Sequence, residues 1–193
     1  MEHTADQGEV VRFWLGQSDE IWFSADPGFD AEVLSRFGEL VEQAKAGTLD
    51  RWADNAEGAL ALVILLDQMT RNIYRDTPEM FAADGKAIAV AKQAIERGFD
   101  TDMPMHKRLW LYMPFMHSEV LADQERGIEL FTQPELSKSL PFMVEHADII
   151  RRFGRFPHRN AILGRRTTPE EAAFLAGGGF SGVSPQGPAE RES

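Results

Sequence analysis

Apolar side chains along this chain recur at spacings of three and four residues, the signature of helices with one buried face. In "DAEVLSRFGELVEQAKAG", Val33, Leu34, Phe37, Leu40, Val41 and Ala44 form one stripe, predicting a helix opened by Asp30 and ended by Gly47. Val10, Val11, Trp14 and Leu15 predict an earlier helix that stops at Gly16, and Pro27 with Gly28 predict a loop between the two. "GALALVILLDQMTRNIY" has no polar face for two turns, which marks it as the central, buried helix. Thr77-Pro78-Glu79 reads as the start of the next, with a stripe of Ala87, Val90, Ala91, Ala94 and Ile95 capped by Gly98. Residues 58–97 thereby read as two antiparallel helices joined by a short turn. "MHKRLWLYMPFM" predicts a further helix, kinked or ended at Pro114. "SEVLADQERGIELF", "LPFMVEHADIIRRFG" and "TPEEAAFLAGGG" complete the set, the last opened by a capping box from Thr168 to Glu171. No segment alternates with period two. The expected fold is all-α, about eight helices in antiparallel hairpins without regular repeats. Residues 1–176 are expected to form a single helical domain, and the Gly/Ser/Pro-rich residues 177–193 a flexible tail.

Composition narrows the class. A chain of 193 residues buries enough surface for a core without staples, and its lack of cysteine excludes disulfides and thiolate metal sites. The first residues, "MEHTADQGEV", lack a basic patch followed by an apolar run, so no secretory leader is expected; the run "ALALVILL" is too short to span a bilayer, and a cytoplasmic location is expected. Twenty Lys and Arg stand against 31 Asp and Glu, a net charge of −11 that disfavours nucleic acid as a partner. Against that background "RRFGRFPHRNAILGRR", residues 151–166, gathers six arginines and no acid.

Several polar residues fall where core is expected. Asp67 and Arg71, one turn apart, continue the apolar stripe of the central helix, so they read as a buried ion pair or as part of a ligand site. Gln68 and Asn72 sit at the same spacing on the adjacent face. His146 lies on the stripe of Phe142, Met143, Ile149, Ile150 and Phe153, either bonded to a carbonyl or carboxylate in the core or serving a ligand. His117 and Glu119 would point roughly 200° apart on a continuous helix, which argues against a shared metal. Ser118 between them is placed to cap the next helix. Phe153, Phe156, Ile162 and Leu163 must bury, and these anchors fix Arg155 and Arg159 more firmly than Arg151, Arg152, Arg165 and Arg166. Those two arginines either pair with internal acids such as Asp67, Glu119 or Glu125, or leave charge for an external anion.

"LLDQMTRNIYR" (65–75), "LYMPFMHSE" with "ADQER" (111–126) and "HADIIRRFGRFPHRNAILGRRTTPEE" (146–171) resemble a bacterial family, domain of unknown function 924, over roughly residues 6–176. The resemblance implies an all-helical fold similar to tetratricopeptide repeats and no particular activity. The chain departs from the family pattern at Met69-Thr70, where Phe-Pro is expected, and at Met116, where an acid is expected.

Together these residues suggest a polar concavity made by the end of the central helix, the 115–119 corner and the 154–160 turn. Its candidate ligand-binding residues are Asp67, Arg71, Asn72, His117, Glu119, His146, Arg155, His158, Arg159 and Asn160, with a small anion or an acidic peptide end as the partner. No metal or cofactor is expected. An alternative is an enzyme using His117 or His158 as general acid/base on an anionic small molecule. Another is a tetratricopeptide-like interaction scaffold whose arginines are structural.

Overall fold

The computed structural model describes residues 6–179; the chain before Asp6 and the expected tail from Phe180 onward lie outside the described residues. The described residues are all helical, without strands. In chain order the helices are α1 (Gln7–Leu15), α2 (Asp19–Phe23), α3 (Pro27–Ala46), α4 (Ala56–Val63), α5 (Thr70–Ile73), α6 (Asp84–Glu96), α7 (Met105–His117), α8 (Leu121–Phe131), α9 (Leu140–Phe153) and α10 (Pro169–Ala176). A π-helical turn, Ile64–Met69, joins α4 to α5 in one continuous rod, so the described chain holds nine helices when the rod counts once.

The rod is the centre of the core. Every residue from Ala59 to Leu66 is fully buried, as a segment without a polar face requires. α6 packs back on it in antiparallel sense: Asp84 at its start pairs with Arg71 near the rod's end, and Arg97 just past its end donates to the carbonyls of Ala53 and Asp54 before the rod begins. α7 runs alongside in the rod's own direction, from Lys107 near Glu57 to His117 on Asp67. α3 lies across the rod's end, with Asp30 taking Arg75 and Glu42 accepting from the Tyr74 hydroxyl. α1 and α2 close the far side through aromatic packing, Trp110 meeting Trp14 at 5.3 Å and Trp22 at 4.8 Å between ring centroids. A smaller cluster of Ile149, Ile150 and Phe156, with Phe153 and Phe174 against it, joins α9, the following turn and α10.

Local chemistry corrects four boundaries. The expected loop around Pro27 contains the short α2, and α3 starts at Pro27 rather than Asp30. Asp26 caps it by accepting from the Phe29 N–H at 2.7 Å, and proline is well suited to the first helical position. Thr77-Pro78 begins only a 3-10 turn, Pro78–Phe81, after Asp76 reverses the chain at φ 61°; α6 itself starts at Asp84. Pro114 does not end α7, which runs on to His117; the proline leaves only the Trp110 carbonyl without its helical donor, one bond of the ladder. The central helix widens into a π turn at the departure point Met69-Thr70. There the Thr70 hydroxyl donates to the Leu66 carbonyl at 2.9 Å, and the Arg71 guanidinium donates to the Asp67 carbonyl. The capping box is present as expected: the Glu171 N–H donates to Thr168 Oγ1 at 3.2 Å, and the Thr168 N–H to Glu171 Oε2 at 2.7 Å.

One glycine is required by packing. A Cβ on Gly58 would lie 2.1 Å from the Trp52 carbonyl oxygen, a backbone atom that cannot swing aside. Gly58→Ala therefore destabilises by about 2 kcal/mol or more despite the roughly 1 kcal/mol that alanine gains in a helix. Urea unfolding measures this, and a neutral or stabilising result would mean that the Trp52 turn moves freely.

Candidate functional site

The π turn brings a carboxylate into the core. Asp67 is fully buried, and its oxygens accept from the Gln68 amide, lie 2.8 and 3.0 Å from His117 Nδ1, and pair with Arg71 Nη1 at 3.2 Å. Burial opposes the charge on Asp67, but Arg71 and His117 outweigh it and hold the carboxyl well below the usual carboxylate range. Arg71 reaches on to Asp84, with Nη1 at 3.0 Å from Oδ1 and Nη2 donating to Oδ2 at 3.1 Å. Arg159 arrives from the other side: Nη1 donates to the same Asp84 Oδ2 at 3.1 Å and Nη2 to the His117 carbonyl at 3.0 Å. Its guanidinium lies between the rings of Phe81 and Phe156, 4.5 and 4.6 Å from their centroids. Burial pulls Arg159 down to about 10, against the pull of Asp84, so it stays charged at neutral pH. Its Nε has no hydrogen-bond partner. Three elements distant in sequence, the rod's end, the 115–119 corner and the 154–160 turn, thus meet at Asp67, Arg71, Asp84, His117 and Arg159. The side chains of Arg71, Asp84 and His117 keep between 15% and 18% of their surface in water.

Two more histidines border this group. The His146 Nδ1–H donates to the Phe142 carbonyl at 2.6 Å, the carbonyl-bonded core arrangement its apolar stripe suggested. Burial drives His146 down to about 3 and His158, next to Arg159, down to about 4, so both rings are neutral at pH 7.

The rest of the arginine stretch forms a second network. Glu119 accepts from the Phe156 N–H at 2.7 Å and from both terminal nitrogens of Arg165 at 2.8 and 3.1 Å. Arg155 forks onto buried Glu171 at 2.6 and 2.8 Å, and that hydrogen bonding holds Glu171 down at about 2. Buried Asn160 links the two pairs, donating to Glu171 Oε2 at 3.2 Å and accepting from Arg165 Nε at 3.0 Å. Exposed Arg151 and Arg152 pair with Asp148 and Glu170. The arginines gathered in an acidic protein are therefore largely matched, each by an acid distant in sequence or one turn away. Arg165, expected at the periphery, is instead a half-buried tie between the 115–119 corner and the turn, because it alone reaches both Glu119 and the Phe156 carbonyl.

The structure brings together Asp67, Arg71, His117 and Arg159, borders them with His146 and His158, and places Glu119, Arg155 and Asn160 in the second network. Asn72 stands apart, donating at 2.8 Å to Asp30, which also takes the fork of Arg75; Gln68 turns to Asp67, so the expected Gln68 and Asn72 pair does not form. The internal acids that take Arg155 and Arg159 are Glu171 and Asp84 rather than Asp67, Glu119 or Glu125. Asp84 and Phe81 escaped the sequence reading, since an acid in a first helical turn reads as a response to the helix dipole. Glu171 was visible only as half of a capping box. Among the described residues no group of three or more His, Asp or Glu side chains is arranged to hold a metal ion, and no helix is long and apolar enough to cross a membrane.

The sequence profile of a family described as bacterial protein of unknown function (DUF924) matches residues 10–179. A solved structure of a protein of unknown function from Agrobacterium tumefaciens is 43% identical, with a TM-score of 0.83, over 88% of this chain and 96% of that one. No curated protein matches the chain.

Proposed function

This chain belongs to the bacterial family of unknown function DUF924, and from the cluster that its three motif segments build we propose that it binds a small anion beside His117, Arg71 and Arg159. One observation carries the reading: Asp84 serves two guanidiniums at once, while Asp67 is shared by Arg71 and His117. Arg159 keeps a buried Nε without a hydrogen-bond partner, and the side chains of Arg71, Asp84 and His117 beside it still touch water. A phosphate, sulfate or carboxylate group is the ligand that guanidinium and imidazole donors of this kind recognise.

The test is thermal melting in phosphate and sulfate against chloride at equal ionic strength. A ligand at a hundred times its Kd adds about 2.7 kcal/mol to the native state. Phosphate is expected to raise the melting temperature beyond chloride, His117→Gln to remove that excess, and Arg155→Met, in the separate network, to keep it. An equal phosphate effect in wild type and His117→Gln would reduce it to general salting-out and sink the reading.

A second reading, an enzyme acting on the bound anion, rests on the Asp67 and His117 pair. Both oxygens of a buried carboxylate lie within 3.0 Å of Nδ1, which fixes the ring and leaves the other nitrogen for proton exchange. Glu119 is held by Arg165 and the Phe156 N–H, so Asp67 is the better orienting group. If phosphate and carboxylate esters are turned over, Asp67→Asn is expected to lower kcat by about a hundredfold or more; turnover that survives His117→Gln would exclude this role for the pair.

A further inference from the structure

Independently of the anion site, we propose that the outer face of α9, together with α10, is a docking groove for a basic amphipathic segment of a partner protein. α9 has two faces: Met143, His146, Ala147 and Ile150 point into the protein, while Val144, Glu145, Asp148 and Arg152 follow one another along the outside. Between that outer face and α10 lies an open groove of about 360 Å3, floored by Pro141, Val144, Ile149, Phe153 and Phe174. The volume accepts one or two large side chains. Val144, in the groove wall, is 37% exposed and belongs to a short group of large apolar residues that the described surface leaves in water.

Charge selects the occupant. Glu145 on the lip has no ion-pair partner among the described residues, and Asp148 is engaged only by Arg151 in an exposed contact one turn away, which contributes little. The one cation in the lining, Arg152, is already matched by Glu170 at 2.9 Å and lies over the rings of Phe153 and Phe174, where it acts as a wall. An apolar floor with the unpaired Glu145 and the exposed, weakly engaged Asp148 at its lip complements an aliphatic or aromatic anchor flanked by Lys or Arg. The net charge of −11 draws such segments in and repels acidic ones. This chemistry is opposite in sign to that of the anion site, so the two surfaces recognise different molecules.

Fluorescence anisotropy with a labelled, roughly 14-residue Leu/Lys amphipathic peptide, at about 0.15 M salt, tests the groove. Saturable one-site binding is expected, with the matching Leu/Glu peptide failing to bind. Val144→Arg and Glu145→Lys are each expected to weaken binding about tenfold or more, while Glu39→Lys on α3 changes it less than about twofold. Equal losses from Glu39→Lys and Glu145→Lys would mean attraction by the overall field, and insensitivity to Val144→Arg would mean that the groove is not used. Either result overturns the proposal. It also falls if only a chain ending at Gly179 binds, which would make the chain's own C-terminus the occupant. A dimer in sedimentation that Val144→Arg dissolves would assign the groove to a second copy instead.

Discussion

Asp67→Leu is expected to lower the unfolding free energy by about 3–5 kcal/mol, the largest effect of any single substitution in the polar cluster. The carboxylate is fully buried, and its removal leaves Arg71 with Asp84 alone and His117 Nδ1 with no acceptor at that position. The cost comes from stranding buried donors more than from losing the attraction itself. Arg71→Met is also destabilising, but the Asp67→Leu, Arg71→Met double variant costs about 1–3 kcal/mol less than the two singles together, since an apolar pair strands less charge than either single change. Urea unfolding of all four proteins gives the cycle. Additive losses would show that the two residues stabilise the rod independently, and the π turn would then need a different explanation.

Lowering the pH from 6.5 to 5 is expected to remove about 3 kcal/mol of stability, about 1.6 kcal/mol for each of two histidines. His146 is held down to about 3 by burial, against the Phe142 carbonyl that its ring bonds; His158 is held down to about 4, by burial first and then by Arg159. The sign follows from which state binds the proton. In the unfolded chain both rings protonate near pH 6.5, whereas in the native state they stay neutral until about 4 and 3, so acid favours unfolding throughout that window. Asp67, Glu119 and Glu171 are all depressed carboxylates, whose stabilisation is complete above about pH 4.5 and is lost only below it, so they do not contribute to this step. Denaturant unfolding at pH 7, 6 and 5 measures the slope. His146→Gln keeps an N–H for the Phe142 carbonyl but does not titrate, and is expected to halve it. A flat profile from pH 7 to 5 would show that the two rings are protonated in the native state.

Each sequence reading that held rests on interactions within a few residues. The buried rod, the helix stop at Gly47, the Thr168 to Glu171 capping box and the carbonyl bond of His146 are all local, and local spacing exposes them. Asp67 and Arg71 were legible because a charged pair inside an apolar stripe must be compensated nearby. Errors came where local signals compete. Proline opens α3 at Pro27 and is tolerated inside α7 at Pro114, yet the same residue type starts only a 3-10 turn at Pro78.

By itself, then, the sequence determined the all-helical class, the central helix and the segments that carry the unusual polar residues, because helical periodicity and capping are short-range properties. Only the tertiary structure decided which acid meets which arginine. Asp84, which holds Arg71, also takes Arg159 75 residues further on, Glu119 takes Arg165 and Glu171 takes Arg155, none of them partners that spacing favours. An ion pair between distant segments depends on how the helices between them pack, and that packing follows from shape and burial of the whole core rather than from the identity of the charged residues.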